Sequence, residues 1–251
     1  METYDIGLKL KQLIIDLRKL GKEGVFIGYG NPDADILIIG KECAWEEDSD
    51  DYKLFFKPNF RQWDDSFNGH GFKYKNGDEH YTFENNAFHP IFPFYLQKNT
   101  TSKKITGHTS NTYSYYQMLI DKIKAEITGS DYTKSDYITF FRDCFISELS
   151  DICMRNHNDT SRNKEKIVEE HIRNRFEWMR KTSFFNQFKV VVLACGPYAK
   201  AIKEDPILKH DLFGEAEVFY CNQLSQWDSR LEDKNNNMIK KIALISPNIN
   251  S

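Results

Sequence analysis

The chain has 251 residues and a formal net charge of −3, with 34 lysines and arginines against 37 aspartates and glutamates. This length is enough for one large domain with a buried core. Proteins that bind nucleic acids usually carry a basic excess. The overall charge therefore excludes a generally basic DNA-binding surface and leaves only a local basic patch for such a role.

Two further features of the composition exclude classes of protein. The N-terminus is amphipathic and charged, unlike a signal peptide, and no apolar run approaches the roughly 18 residues that span a bilayer. We therefore expect a soluble, cytoplasmic protein with no membrane partner. The five cysteines lack the ligand spacing of a zinc site or an iron–sulfur cluster, so we expect reduced thiols, no metal, no iron–sulfur cluster and no cofactor. They are Cys43, Cys144, Cys153, Cys195 and Cys221.

The first part of the chain contains a helical pattern, a strand and an aromatic-rich insertion. Apolar residues recur at helical spacing over residues 7–21, which predicts an amphipathic helix. Residues 35–40 form a continuous apolar run, typical of a strand covered on both faces. An insertion follows at about residues 46–112, and its part at 52–95 holds 14 of the chain's 36 aromatic residues without a clear period. We expect most of these aromatics to pin the insertion to the body of the domain.

Strand and helix patterns alternate through the rest of the chain. Helical patterns cover residues 113–127, 167–180 and 238–245, and apolar strand-like runs cover residues 144–146, 190–194 and 216–220. The run at 190–194 leads through Gly196 into a short helical segment that ends at Ile202. This alternation predicts a single three-layer α/β/α domain over residues 1–251, with a central, mainly parallel, four-stranded sheet.

Polar and turn-forming residues follow each predicted strand. Because ligands bind beyond the carboxyl ends of the strands in a parallel sheet, these segments form the candidate site. They are residues 40–45, 147–150, 195–198 and 220–225. The sequence contains neither G-x-G-x-x-G nor G-x-x-x-x-G-K-[ST], which counts against dinucleotide and nucleoside triphosphate chemistry.

Two of these segments carry a resemblance to a known family. The segment Gly40-Lys41-Glu42-Cys43-Ala44 resembles the first motif of the uracil-DNA glycosylase superfamily, which is G-Q-D-P-Y in one branch and G-E-x-P-G in others. The segment Tyr220-Cys221-Asn222-Gln223-Leu224-Ser225 is similar to the second motif, H-P-S-x-L-S. The order and spacing of the predicted strands agree with that superfamily over most of the chain.

The resemblance implies roles for individual residues. Glu42 stands in the place of the carboxylate that activates water, and Tyr220 stands in the place of the histidine that stabilises the departing base. Glu148, or Ser147, falls closest to the asparagine that reads the base. The implied catalytic residues are Glu42 and Tyr220, and the implied substrate-binding residues are Gly40, Lys41, Cys43, Ala44, Ser147, Glu148, Asn222, Gln223, Leu224 and Ser225.

The differences from the motifs change the expected chemistry. A carboxylate at Glu148 accepts a hydrogen bond from an exocyclic amine, which cytosine and adenine carry and uracil lacks. The implied function is a DNA base N-glycosylase with altered base specificity, whose partner is DNA or a nucleobase or nucleotide. One alternative is a non-catalytic nucleobase or nucleic-acid binder with a degraded glycosylase site. Another is an unrelated α/β enzyme that acts on a small metabolite.

Several of these residues also have plain structural interpretations. Glu148 could cap the segment that follows it, and Ser225 could be the N-cap of a helix that begins near Trp227. Tyr220 could be a half-buried aromatic with its hydroxyl in water. The basic stretch at 162–181 is expected to be the solvent-facing side of an amphipathic helix.

Overall fold

The computed structural model of the protein describes residues 7–41, 57, 59–68, 90–91, 97–102, 109–150, 162–222, 224 and 232–249. Within these residues, five strands form one mixed sheet in the order β1-β3-β2-β4-β5. They are β1 (Tyr29–Gly30), β2 (Ile36–Gly40), β3 (Cys144–Glu148), β4 (Val190–Leu193) and β5 (Glu217–Tyr220). The short strand β1 runs antiparallel to β3, and every other neighbouring pair is parallel.

Helices cover both faces of this sheet. Seven α-helices lie in the described part of the chain: α1 (Leu8–Lys19), α2 (Asn59–Asn68), α3 (Asn111–Thr128), α4 (Arg162–Arg180), α5 (Lys200–Glu204), α6 (Pro206–Phe213) and α7 (Glu232–Ile245). Helix α3 packs with α7 on one face, and α1, α2, α4 and α6 lie on the other. The α/β class expected from the sequence is therefore confirmed.

The central strand β2 shows why the sheet needs two helical layers. All five of its residues are buried, since neighbouring strands and helices cover both its edges and both its faces. By contrast, β5 lies at the edge of the sheet, and its residues range from exposed to half-buried. Continuous apolarity in the sequence thus identified the strand at the centre.

The helix α3 is delimited by clear end signals. The Ser110 hydroxyl accepts a hydrogen bond from the backbone N–H of Tyr113 at 3.2 Å, as an N-cap does. Gly129 ends the helix in a left-handed conformation with φ of 64°. These caps fix the helix that brings Tyr116 over the sheet.

The prediction of a four-stranded sheet was wrong in its strand count, because it omitted β1. Two residues are too few to show a pattern, and their pairing with β3 depends on tertiary contacts. The preceding glycine, Gly28, has φ of 148°, and a side chain there would collide with the Ile146 carbonyl oxygen. This close approach lets β1 pair with the outer edge of β3.

The aromatic-rich insertion contains a helix, α2, that the sequence analysis missed. Its Phe60 and Trp63 are buried, and the Trp63 indole donates a hydrogen bond to the Gly28 carbonyl at 2.8 Å. The Asn59 side chain on the same helix accepts from the backbone N–H of Ile27 and Gly28. These two aromatics therefore pin the insertion to the sheet, as expected.

The solvent-facing role predicted for the basic stretch at 162–181 was wrong for Arg175. Arg175 on α4 is only 1 % exposed. Its guanidinium donates to the Phe26 carbonyl and to the Ser147 hydroxyl, each at 2.7 Å, and lies 4.9 Å from the centre of the Trp178 ring. Burial is possible because these acceptors replace water around the cation.

Candidate functional site

The reversal of chain direction across the sheet marks the candidate site. From β2 the chain moves to β3 on one side, and later to β4 on the other. In such sheets, ligands bind at the carboxyl ends of the two neighbouring strands whose connections leave in opposite directions, which are β2 and β4 here. Lys41, directly after β2, places its ammonium 4.3 Å from the centre of the Tyr198 ring, which follows β4. A cation–π contact thus joins the segments that follow β2 and β4.

Gly40 and Glu148 are paired at this edge of the sheet. The parallel register sets Gly40 beside Glu148, so both lie on the sheet face that carries α3. A methyl group at position 40 would overlap the Glu148 Oε2 atom and come within 2.9 Å of the Tyr116 Oη atom. Because Gly40 has no side chain, there is room here for the Glu148 carboxylate and the Tyr116 phenol.

Tyr116 is a site residue that the sequence analysis missed. It lies on α3, is 3 % exposed, and packs edge-on against Phe140 with ring centres 5.6 Å apart. Burial, and then the charge of Glu148, raises the pKa of the Tyr116 hydroxyl well above its ordinary value of 10.0, with smaller contributions from Tyr113, Cys221 and Cys195. The phenol therefore keeps its proton and can act as a hydrogen-bond donor. In the sequence, the only signal for Tyr116 was its place on a predicted helix near the carboxyl edge of the sheet.

A cavity of about 490 Å³ lies beside this cluster, at the carboxyl ends of β4 and β5. Its wall includes the predicted site residues Tyr220, Cys221 and Asn222, together with Lys200 and Lys203. Burial raises the pKa of the Tyr220 hydroxyl above 10.0, so this phenol is also protonated. The Ala194 N–H at the end of β4 donates to the Ile39 carbonyl at 2.8 Å, so the cavity at the ends of β4 and β5 lies next to the strand that ends at Gly40.

The structure separates two of the predicted functional side chains. In register, Tyr220 pairs with Leu193, Leu193 with Ile39, and Ile39 with Ser147. Paired residues share a face, so Tyr220 leaves the sheet on the face opposite to that of Glu148. The predicted site residues therefore form two groups, one at Gly40 and Glu148 and one around the cavity.

Ser147 and Leu224 lie in the interior. The Ser147 hydroxyl is 2 % exposed, donates to the Ile27 carbonyl at 2.6 Å and accepts from Arg175. It joins strand, helix and loop on the face opposite to Glu148. Leu224 is 3 % exposed and belongs to the hydrophobic core. Buried hydrogen bonds therefore account for a serine at position 147, and core packing accounts for a leucine at position 224.

The other predicted site residues lie outside the described residues. They are Glu42, Cys43, Ala44, Gln223 and Ser225. The segment that Glu148 could cap also lies outside them from residue 151 onward. After β3, Leu149 and Ser150 donate to the carbonyls of Gly40 and Lys41, which keeps this edge in parallel register.

Metal ligands and membrane-spanning helices are both absent from the described part of the chain. Among residues 7–41, 109–150, 162–222 and the other described ranges, no cluster of three or more histidines, cysteines, aspartates or glutamates could hold a metal ion. Over the same ranges, no helix has the length and apolar character needed to cross a membrane.

A second cavity, of about 340 Å³, lies between residues 98–100 and 134–137 and includes none of the residues at the carboxyl edge.

Comparisons with known proteins gave no match: no family model, no curated protein and no solved structure matches this chain.

Proposed function

We propose that this chain is a uracil-DNA glycosylase-like protein whose cleft at the carboxyl edge binds a nucleobase that carries an exocyclic amine. The observation that carries this proposal is the pairing of Gly40 with Glu148 beneath the Tyr116 hydroxyl. The four parallel strands and the helices on both faces support it, because the resemblance implies a three-layer sandwich around such a sheet.

The chemistry of this pair suits one edge of cytosine or adenine. The Glu148 carboxylate accepts a hydrogen bond from an exocyclic amine, and the protonated Tyr116 hydroxyl donates to the ring nitrogen beside that amine. Uracil presents a carbonyl oxygen in place of the amine, and this oxygen would face the carboxylate. A hydrogen bond to a charged group contributes about 1.5–3 kcal/mol, so discrimination by about tenfold or more is expected.

The adjacent cavity suits the rest of a nucleotide. Lys200 and Lys203 are exposed on its wall beside Glu204, whose carboxylate lies 3.9 Å from the Lys200 ammonium. Two cations against one carboxylate leave a local positive charge that suits a phosphate. If a strand or nucleotide binds here, affinity falls as salt is raised, since phosphate contacts release counterions. A free base, by contrast, binds with little dependence on salt.

This proposal has two versions, which differ in whether the protein hydrolyses the bond between base and sugar. A DNA base N-glycosylase of altered specificity needs a carboxylate that positions water, for which Glu42 is the candidate, and a group that stabilises the departing base. Tyr220 leaves the sheet on the face opposite to Glu148. That separation favours the second version, a non-catalytic nucleobase or nucleic-acid binder.

The test is a titration of the full chain with cytidine, adenosine and uridine monophosphates and with short single-stranded oligonucleotides. We expect the amine-bearing ligands to bind more tightly than uridine monophosphate, and Glu148→Gln to remove that preference. Glu217→Gln is the matched control, because Glu217 is an exposed glutamate at the opposite end of a strand of the same sheet. Equal binding of cytidine and uridine monophosphates, or an unaffected Glu148→Gln variant, would reject the proposal.

Base release from the same oligonucleotides separates the two versions. Release of cytosine or adenine that is lost in Glu42→Gln would identify an N-glycosylase. Tight binding without release of any base would identify the non-catalytic binder.

A further inference from the structure

Two cysteines, Cys195 and Cys221, follow the ends of the neighbouring strands β4 and β5. Cys195 is fully buried, and Cys221 is half-buried in the wall of the 490 Å³ cavity. Neither thiol forms a disulfide in the structure. Their different exposure means that a small reagent reaches Cys221 first.

The backbone hydrogen bonds bring Cys195 opposite Cys221. The Cys221 N–H donates to the Leu193 carbonyl at 3.1 Å, and the Cys221 carbonyl accepts from the Gly196 N–H at 3.2 Å. In a regular parallel ladder the second donor would be Cys195, two residues after Leu193. One extra residue is therefore present, and Ala194 and Cys195 together face Cys221 in a bulge. The ψ angle of 10° at Cys195 shows where the chain leaves the strand.

This arrangement matches the spacing of a disulfide. Neighbouring strands lie about 4.8 Å apart, and the Cα atoms of disulfide-bonded cysteines lie about 4.4–6.8 Å apart. Cys221 and Cys195 also both contribute to the raised pKa of the Tyr116 hydroxyl, after burial, Glu148 and Tyr113. The Cys221 Sγ makes a long contact of 3.7 Å with the Leu193 carbonyl, which a disulfide could replace.

We infer that Cys195 and Cys221 are a redox-active pair that forms a reversible disulfide across the ends of β4 and β5. Hydrogen peroxide, a two-electron oxidant, transfers one oxygen atom to the Cys221 thiolate, which becomes a sulfenic acid while hydroxide leaves. The Cys195 sulfur then attacks the Cys221 sulfur, the new S–S bond forms, and the sulfenic oxygen leaves as water with the thiol proton. A dithiol reductant restores both thiols by exchange and is itself oxidised to a disulfide.

The third described cysteine serves as an internal control. Cys144 is fully buried, and its thiol donates to the Phe140 carbonyl at 3.2 Å. Burial, and then the charge of Asp143, raises the pKa of this thiol well above its ordinary value. Because the thiolate is the reactive form, Cys144 should stay reduced while Cys221 reacts.

The experiment oxidises the native full chain with a small excess of hydrogen peroxide and maps its peptides by mass spectrometry without reduction. We expect the intact mass to fall by two hydrogen atoms, a linked pair of peptides containing Cys195 and Cys221, and reversal by dithiothreitol. In Cys195→Ser the reaction should stop at the sulfenic acid of Cys221, which dimedone traps. Circular dichroism checks that this variant is folded. If the variant is unfolded, the peptide map of the wild type decides whether Cys195 and Cys221 are linked.

Three results would overturn the inference: a link from Cys221 to any other cysteine, oxidation of Cys221 to the sulfinic acid without a link, or no oxidation at Cys221. None of these results depends on whether the protein binds a nucleobase, so this inference and the proposed function fail separately.

Discussion

Gly40 and Glu148 stand side by side at the carboxyl ends of β2 and β3, and the glycine leaves the space that the glutamate carboxylate fills. The Tyr116 hydroxyl approaches the same space from α3. A strand end, a neighbouring strand end and a helix thus build one small polar site at the edge where parallel sheets bind ligands.

Gly40→Ala tests this space directly. Since the φ angle of Gly40 is not in the left-handed region, alanine is allowed by the backbone and acts only by displacing the Glu148 and Tyr116 side chains. We expect a loss of about 1–3 kcal/mol in the free energy of unfolding from overpacking, and binding of amine-bearing nucleotides weakened tenfold or more. Titration and urea unfolding measure the two effects.

The control for that substitution is Gly24→Ala, because a methyl group at position 24 would meet nothing within 4 Å. It should leave binding unchanged. If Gly40→Ala binds as well as Gly24→Ala, the carboxylate at 148 does not contact the ligand.

Tyr116→Phe tests the hydroxyl as a donor. The ring keeps its edge-on contact with Phe140, so stability should change little, while loss of one hydrogen bond of about 0.5–1.5 kcal/mol should weaken binding by about 2- to 13-fold. Tyr113→Phe, one turn earlier on the same helix, is the matched control. Equal affinities of the two variants would mean that the Tyr116 hydroxyl does not touch the ligand.

Arg175→Met tests the buried cation. The substitution removes the two hydrogen bonds that the guanidinium donates to the Phe26 carbonyl and the Ser147 hydroxyl, at about 1.5–3 kcal/mol for each bond to a charged group. Methionine carries no charge, so the cost of burying the cation disappears and offsets part of this loss. We therefore expect a net loss of about 2–4 kcal/mol in the free energy of unfolding. Urea denaturation measures it, and Arg173→Met, at an exposed position of the same helix, should change little. Similar losses in both variants would contradict a structural role for the buried guanidinium.

Asp143→Asn tests the pH dependence of stability. Burial raises the pKa of the Asp143 carboxyl above its ordinary value of 3.8, although Lys124, 2.7 Å away, opposes the shift. The folded protein therefore binds this proton more tightly than the unfolded chain. The stability linked to Asp143 is fully present below the unfolded pKa and is lost as pH rises through the folded pKa.

The asparagine variant lacks this titration. The free energy of unfolding of the wild type, minus that of Asp143→Asn, should therefore decrease as pH is raised from below 3.8 through the weakly acidic range. Urea unfolding at a series of pH values measures the difference, with Asp136→Asn at an exposed position as the control. A difference that increases with pH would show that the folded pKa is lowered instead.

Long, buried elements could be predicted from the sequence because their patterns are local. The strands at 36–40, 144–148, 190–193 and 217–220 lie within two residues of the predicted runs, and the main helices follow their apolar spacing. The helix α2 was missed although Phe60, Trp63 and Phe67 have helical spacing. Nearby glycines and prolines, which are typical of loops, made the segment resemble an irregular one. The placement of Glu148 at a strand end was also predictable, since it follows the second parallel strand.

The sequence by itself determined that alternating strands and helices build an α/β domain and that polar residues gather where its strands end, because burial and periodicity act over a few neighbouring residues. Only the tertiary structure decided which of those residues meet. Strand register sets Glu148 beside Gly40 and turns Tyr220 to the other face, α3 adds Tyr116 from outside every motif, and α4 buries Arg175 against Ser147. These contacts join residues far apart in the chain, so no local pattern could encode them.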